Sequence, residues 1–152
     1  MAAIPVRKPT LKDVPGIQSL IQHYASRGFL LARTRDQVSE SLRDFFIVEQ
    51  DDGIVGCGAL HLWSELAEIR SLAVVENRWR EGIGGALVEA CLDEARGLGV
   101  DTVFVLTYQP EFFERRNFQR VNKDRFPHKI WTDCANCPHF PKCNEVALIR
   151  EL

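Results

Sequence analysis

Residues 68–98 read EIRSLAVVENRWREGIGGALVEACLDEARGL, and the reading of this stretch decides the fold. An apolar run comes first, Ile69 to Val75, and a polar turn follows, Glu76 to Arg80. Gly82, Ile83, Gly84 and Gly85 then open a helical pattern. In it Ile83, Leu87, Cys91, Ala95 and Leu98 recur at three- and four-residue spacing, with Glu89, Asp93 and Glu94 between them. The order is strand, glycine-rich turn, helix. Glycine has no Cβ, so the backbone of such a turn can lie close to a ligand. The first N–H groups of a helix have no partner inside it, and the helix dipole adds partial positive charge there. A phosphate or pyrophosphate fits that environment. The turn is not a nucleotide P-loop, because no Lys follows the glycines, and it is not G-x-G-x-x-G, because the sixth residue from Gly82 is Leu87. A plain strand–helix connection, with glycines only for packing, is the competing reading.

Outward from this unit, the N-terminal side reads as a strand at Ile4 to Lys8 and a capping box at Thr10 to Asp13. A helix follows to about Tyr24, with Ile17, Leu20 and Ile21 on one face and Gly28 to end it. Thr34 to Gln37 is a second capping box, and Val38 and Leu42 line the helix it starts. Phe45 to Glu49 and Ile54 to Leu62 read as strands joined by a hairpin turn at residues 51–53, with Gly56 and Gly58 as bulge sites. On the C-terminal side, Gly99 caps the long helix and Thr102 to Leu106 is a buried strand. Pro110 starts a short helix to Arg116, and Phe118 to Val121 and Val146 to Ile149 are further strands. Asn122 to Lys142 has no clear period and reads as an irregular excursion. The whole predicts an α/β domain with a mixed sheet and helices on both faces.

The composition narrows the function classes. One domain, residues 1–152, is the expectation for this length. Hydrophobic residues make up 45% and charged residues 26%, as in an ordinary globular protein that can bury a real core. A net charge of −2 gives no electrostatic case for nucleic acid or a membrane surface. There is no apolar leader and no run long enough to span a bilayer, so a cytoplasmic location is expected. Five cysteines is an odd number, and Cys57 and Cys91 sit inside apolar elements, which suits reduced thiols.

The turn closely resembles motif A of the GNAT superfamily of acetyltransferases, in which a strand ending in LAV leads to R/Q-x-x-G-x-G/A. Leu72, Ala73 and Val74 match the strand, and Gly82, Ile83 and Gly84 match the turn. Trp79 stands where Arg or Gln is usual, with Arg78 and Arg80 beside it to supply charge. The order of elements is that of the GNAT fold, a mixed twisted β-sheet with helices on both faces. A narrower resemblance is to the acetyltransferase domain of N-acetylglutamate synthases, and especially to short, stand-alone amino-acid N-acetyltransferases. It rests on RGFLLARTRDQ (27–37), IVGCGAL (54–60) and VFVLTYQPEFFERRNF (103–118). The long synthases carry an N-terminal amino-acid-kinase-like domain, and this chain is expected to lack it.

The resemblance implies acetyl-CoA as co-substrate and direct attack of an amine on its thioester, most simply by the α-amine of L-glutamate. The cofactor residues would be Leu72, Ala73, Val74, Trp79, Arg80, Glu81, Gly82, Ile83, Gly84, Gly85, Phe113 and Arg115. The Leu72 to Val74 backbone would polarise the carbonyl. Many GNAT enzymes protonate the leaving thiolate with a Tyr where this chain has Phe113, so Thr107 becomes the candidate donor and Tyr108 the second. Glu68 would accept the amine proton, directly or through water. Arg33 and Arg35 could clamp a carboxylate bidentately, and Lys129 and Lys142 could serve a second one. Cys57 and Leu106 would line the substrate site. Each has a plainer reading as well: a strand-end cap for Thr107, a surface acid for Glu68, a solvated charge for Arg35, a small buried hydrophobe for Cys57. Cys134, Cys137, His139 and Cys143 are zinc-ligand types, but there is one CxxC and irregular spacing, and no metal is assigned. The expected partner is a small amino-acid substrate, with Asn122 to Lys142 as the place for an effector or homodimer contact. The alternatives are another small amine, a protein N-terminus, or a non-catalytic module binding acetyl-CoA or zinc.

Overall fold

A computed structural model describes residues 4–51, 53–122 and 145–152. Among the described residues six strands form one sheet: β1 (Phe45–Gln50), β2 (Gly53–Trp63), β3 (Leu66–Val74), β4 (Thr102–Thr107), β5 (Gln119–Val121) and β6 (Val146–Glu151). Their order across the sheet is β1-β2-β3-β4-β6-β5. Of these described strands only β3 and β4 run parallel, joined by the long helix α3 (Ile83–Gly97). A parallel pair needs such a crossover, and α3 supplies it.

The two faces carry different helices. Helix α1 (Val14–Ala25) and short α2 (Arg35–Glu40) cover Phe45, Ile47, Cys57, Ala59 and Ala73 on one face. On the other face α3 and α4 (Pro110–Glu114) cover Leu60, Ala67, Ile69, Val103, Val105 and Leu148. Strand residues alternate between faces, so each strand contributes to both layers. Val88, Cys91, Leu92 and Ala95, one stripe of α3, are all fully buried.

Local chemistry sets the element ends. The Asp13 carboxylate accepts from Thr10 N–H at 2.8 Å and closes the first capping box. At the second, Gln37 N–H donates to Thr34 Oγ1 at 3.1 Å and Thr34 N–H to Gln37 Oε1 at 2.9 Å. Gly28, Gly53 and Gly99 take positive φ where α1, the hairpin and α3 end. Helix α2 stops at Glu40, so Leu42 falls in the 3-10 turn Leu42–Asp44 and not on the helix. The expected strand at 4–8 is reduced to one bridge, Arg7 with Ile47, whose two N–H···O bonds are both 2.9 Å. The next bonding positions in an antiparallel ladder are two residues either way, and there stand Pro5 and Pro9, which have no N–H.

The sheet is irregular where it matters. Cys57 pairs with Ala73 but Ala59 pairs with Arg70, so β3 carries one extra residue in a bulge. Ser71, in that bulge, has φ +56. The β3–β4 pairing stops at Glu68 with Phe104. Beyond it β3 runs on to Val74 and β4 to Thr107 without pairing to each other. A slot therefore opens between two parallel strands in the middle of the sheet.

Candidate active site

The slot has α3 at one end. Gly82, φ +84, is the N-cap of α3, and only glycine takes that backbone without strain. A Cβ on Gly84 would lie 3.1 Å from the Phe112 ring, and one on Gly85 would lie 2.5 Å from an Arg116 guanidinium nitrogen. The two glycines thus let α4 and the turn after it press against the first turn of α3. Arg116 lies over the Phe112 ring, 4.0 Å from its centroid, and donates to the Phe112 carbonyl at 3.0 Å. Burial, and secondarily the neighbouring Arg115, push its pKa down. A half-buried guanidinium sits beside the positive end of a helix, and both would favour an anion there.

Trp79 does not replace an Arg or Gln as a charge. Its indole N–H donates to the Val74 carbonyl at 2.7 Å, and its ring stacks on Tyr24 at 6.4 Å. The Tyr24 hydroxyl donates to the same carbonyl. Two side chains thus hold the end of β3, and the Val74 carbonyl serves the protein. Arg80 and Glu81 are exposed on the turn, and Glu81 accepts from Arg78. Leu72 is half-buried against Gly58, and Ala73 and Ile83 are buried. Phe113 is 3% exposed, between Phe112 and Phe118, so its side chain belongs to the core and not to a ligand surface. Arg115 is exposed, one position from the more deeply placed Arg116.

On the α1/α2 face a cleft of about 190 Å³ opens beside the bulge, lined by Arg33, Gln37, Val38, Glu40, Ser41, Phe45, Arg70 and Ser71. Arg33 stands on the loop before α2, and its carbonyl accepts from Gln18 at 3.3 Å. Arg35, the first residue of α2, is exposed and is not part of the lining. Cys57, expected to line this site, is instead wholly buried beneath it. Its thiol lies 3.4 Å from the Ser71 carbonyl, and burial pushes its pKa up to about 12. It is a packed hydrophobe under the bulge.

Glu68 is not a surface acid: it is 8% exposed and accepts from the Trp63 indole at 2.9 Å. Its partner across β2–β3 is His61, whose Nδ1 pairs with Asp44 at 3.0 Å. Thr107 ends β4 half-buried, and its Oγ1 accepts from Gln109 N–H at 2.9 Å. A hydroxyl has two lone pairs and one proton, so the O–H still has a bond to give. Tyr108, next along, meets Phe29 edge-on at 6.4 Å. Leu106 is half-buried against the cluster of Phe104, Ala147 and Ile149. Lys129, Lys142 and the Cys134, Cys137, His139 and Cys143 group lie outside the described residues. Among the described residues no group of three or more His, Cys, Asp or Glu could hold a metal, and no helix is long and apolar enough to cross a membrane.

Sequence reasoning missed Arg70, Arg116 and the His61–Asp44 pair. Arg70 lies inside the stretch read simply as an apolar run, Ile69 to Val75, and the other two come together only through the fold.

Residues 17–120 match the Acetyltransferase (GNAT) family. An uncharacterized N-acetyltransferase of Chlorobaculum tepidum is 40% identical over 148 residues, 97% of this chain and 96% of that protein. The amino-acid acetyltransferase of Mycobacterium tuberculosis is 42% identical over 120 residues, 76% of this chain and 68% of that protein. The crystal structure of N-acetylglutamate synthase from Neisseria gonorrhoeae, complexed with coenzyme A and N-acetyl-glutamate, superposes with a TM-score of 0.90 at 30% identity. That match covers 100% of this chain and 36% of the synthase chain. By its sequence and by its fold, this chain belongs to the acetyltransferase (GNAT) family.

Proposed function

We propose that the chain transfers the acetyl group of acetyl-CoA to the α-amine of an amino acid, with L-glutamate as the acceptor. The observation that carries this reading is the slot: β3 and β4 part after Glu68 and Phe104, with the α3 N-terminus at one end and the arginine-lined cleft beside it. Pantetheine is an extended amide chain, and an unpaired strand edge offers it backbone partners. The pyrophosphate then falls at the first turn of α3, against Arg116. The relatives above, among them an amino-acid acetyltransferase and a synthase holding CoA and N-acetyl-glutamate, support the same acceptor.

The acceptor arrives as an ammonium ion and first gives one proton to Glu68, directly or through water. The nitrogen lone pair attacks the thioester carbonyl carbon, and the oxyanion is held by β3 backbone N–H groups. The C–S bond then breaks. The sulfur leaves with its electron pair, steadied by the Thr107 O–H, and takes the second nitrogen-bound proton. The products are an N-acetylamino acid, the CoA thiol and one released proton.

Thiol release from acetyl-CoA tests this reading. Release should depend on added glutamate and should fall at least tenfold in Gly84→Asp, which sets a carboxylate beside the pyrophosphate. If no amino acid promotes release, or if Gly84→Asp binds acetyl-CoA as tightly as the wild type, the reading is wrong.

A further inference from the structure

Glu68 is set back from water, and the chemistry proposed above gives it one proton in every turnover. It is 8% exposed, and the Trp63 indole donates to its Oε1 at 2.9 Å. The reaction releases that proton, so Glu68 must hand it on before it can accept another.

His61 stands directly across the β2–β3 pair from Glu68. Such partners point to the same face of the sheet, with Cβ atoms about 5 Å apart. Trp63, two residues along β2, shares that face and ties the two together. Its ring meets the His61 ring at 4.8 Å and 75°, while its N–H holds Glu68. On the other side His61 Nδ1 lies 3.0 Å from Asp44 Oδ2, at the end of the 3-10 turn Leu42–Asp44. An ionised carboxylate can only accept, so Nδ1 carries the hydrogen and the lone pair stands at Nε2. The His61 and Asp44 side chains are 28% and 31% exposed, so this pair reaches the solvent that Glu68 does not. Among the described residues the other charged groups nearby in chain and register are Arg43, exposed on the same turn, and Arg70, two residues past Glu68 on β3.

We infer that the Asp44–His61 pair is a proton relay behind Glu68. The Glu68 carboxyl gives its proton to His61 Nε2, directly or across one water: the O–H bond breaks and an N–H bond forms. Asp44 at Nδ1 opposes the imidazolium charge. The Nε2–H then delivers the proton to bulk water or to a buffer base, and Glu68 is a carboxylate again. Histidine is the side chain suited to passing a proton at neutral pH. His61 acts through Glu68 and not on the acceptor. The inference rests on the role proposed above for Glu68 and adds the route by which its proton leaves.

The test is rescue by a soluble base, read as N-acetylglutamate formed. At low buffer concentration His61→Gln should lower kcat about tenfold or more, with little change in the KM for glutamate. Added imidazole should restore most of the lost rate, rising with its concentration, while the wild-type rate should hardly respond. Asp44→Asn should show the same pattern with a smaller loss, because an amide oxygen still accepts from Nδ1–H. It also carries the test if His61→Gln does not fold. In Glu68→Gln imidazole should restore nothing, and adding His61→Gln to that variant should cost no more. A full rate in His61→Gln overturns the relay. So does a loss that imidazole leaves untouched in a variant melting with the wild type. Either result reduces the pair to a strut between the Leu42–Asp44 turn and β2, and the amine-acetylation reading stands. Thiol release that needs no amino acid in the wild type overturns the parent reading and the relay together.

Discussion

Thr107 shows how a residue's local bonds limit and permit a role. Its Oγ1 accepts from Gln109 N–H at 2.9 Å, which is the plain strand-end cap. That bond uses a lone pair and leaves the hydroxyl proton to be directed toward a departing sulfur. Capping and catalysis are therefore compatible at one atom, and the acceptor bond fixes the orientation that the donor bond needs. Thr107→Val should lower kcat by about 10- to 100-fold with little change in the KM for glutamate, because one donor to developing charge is lost. Thr107→Ser should keep most of the activity. Steady-state kinetics decides it: wild-type kcat in Thr107→Val would reduce the residue to its cap. Cys57 makes the opposite case. Its place in an apolar strand foretold burial, and the structure buries it completely, so its neighbours in sequence put it near the site while its side chain points into the core.

At the scale of elements, α1 depends on Asp13. The carboxylate accepts from Thr10 N–H at 2.8 Å and pairs with Arg7 at 3.0 Å, tying the helix start to the segment bridged to β1. The Arg7 guanidinium holds this carboxyl below its ordinary value of 3.8. A lowered folded pKa contributes stability that is fully present above the ordinary value and is lost as pH falls through the folded value. Asp13→Ala should cost about 1–2 kcal/mol at pH 7, lowering Tm by roughly 2–8 °C. The gap between variant and wild type should narrow as the pH drops below 3.8 and close once it passes the lower folded value, where the wild type has lost the charge as well. Equal melting temperatures at pH 7 would remove Asp13 from this role. Both capping boxes were legible because their chemistry is local, spanning four residues. The bulge was not. Its signal would be a Gly or Asn at the positive-φ position, and Ser71 gives none. A one-residue shift changes which side chains share a face, so alternation along β3 does not bring Arg70 and Ser71 to one cleft.

At the scale of the molecule, the element order of the sheet and its helices followed from periodicity and glycine placement, with the long unit at 68–98 as its centre. What periodicity cannot carry is the parting of β3 from β4, because pairing depends on both strands and their connections at once. The same holds for Arg116, which meets Gly85 only after α4 docks on α3. Each part of the proposed site is a consequence of that parting. In the proposed reading the slot takes the pantetheine, the α3 turn the pyrophosphate, and the cleft beside the bulge the acceptor. The most direct test of this account follows the acetyl group itself. Acetyl-CoA labelled with ¹³C at the acetyl carbonyl is mixed with the protein and L-glutamate, and the label is followed by NMR. The account predicts that the thioester signal is replaced by an amide signal coupled to the α-nitrogen of glutamate, one label per thiol released. A thioester signal that persists, or decays to free acetate without any glutamate amide, would contradict it.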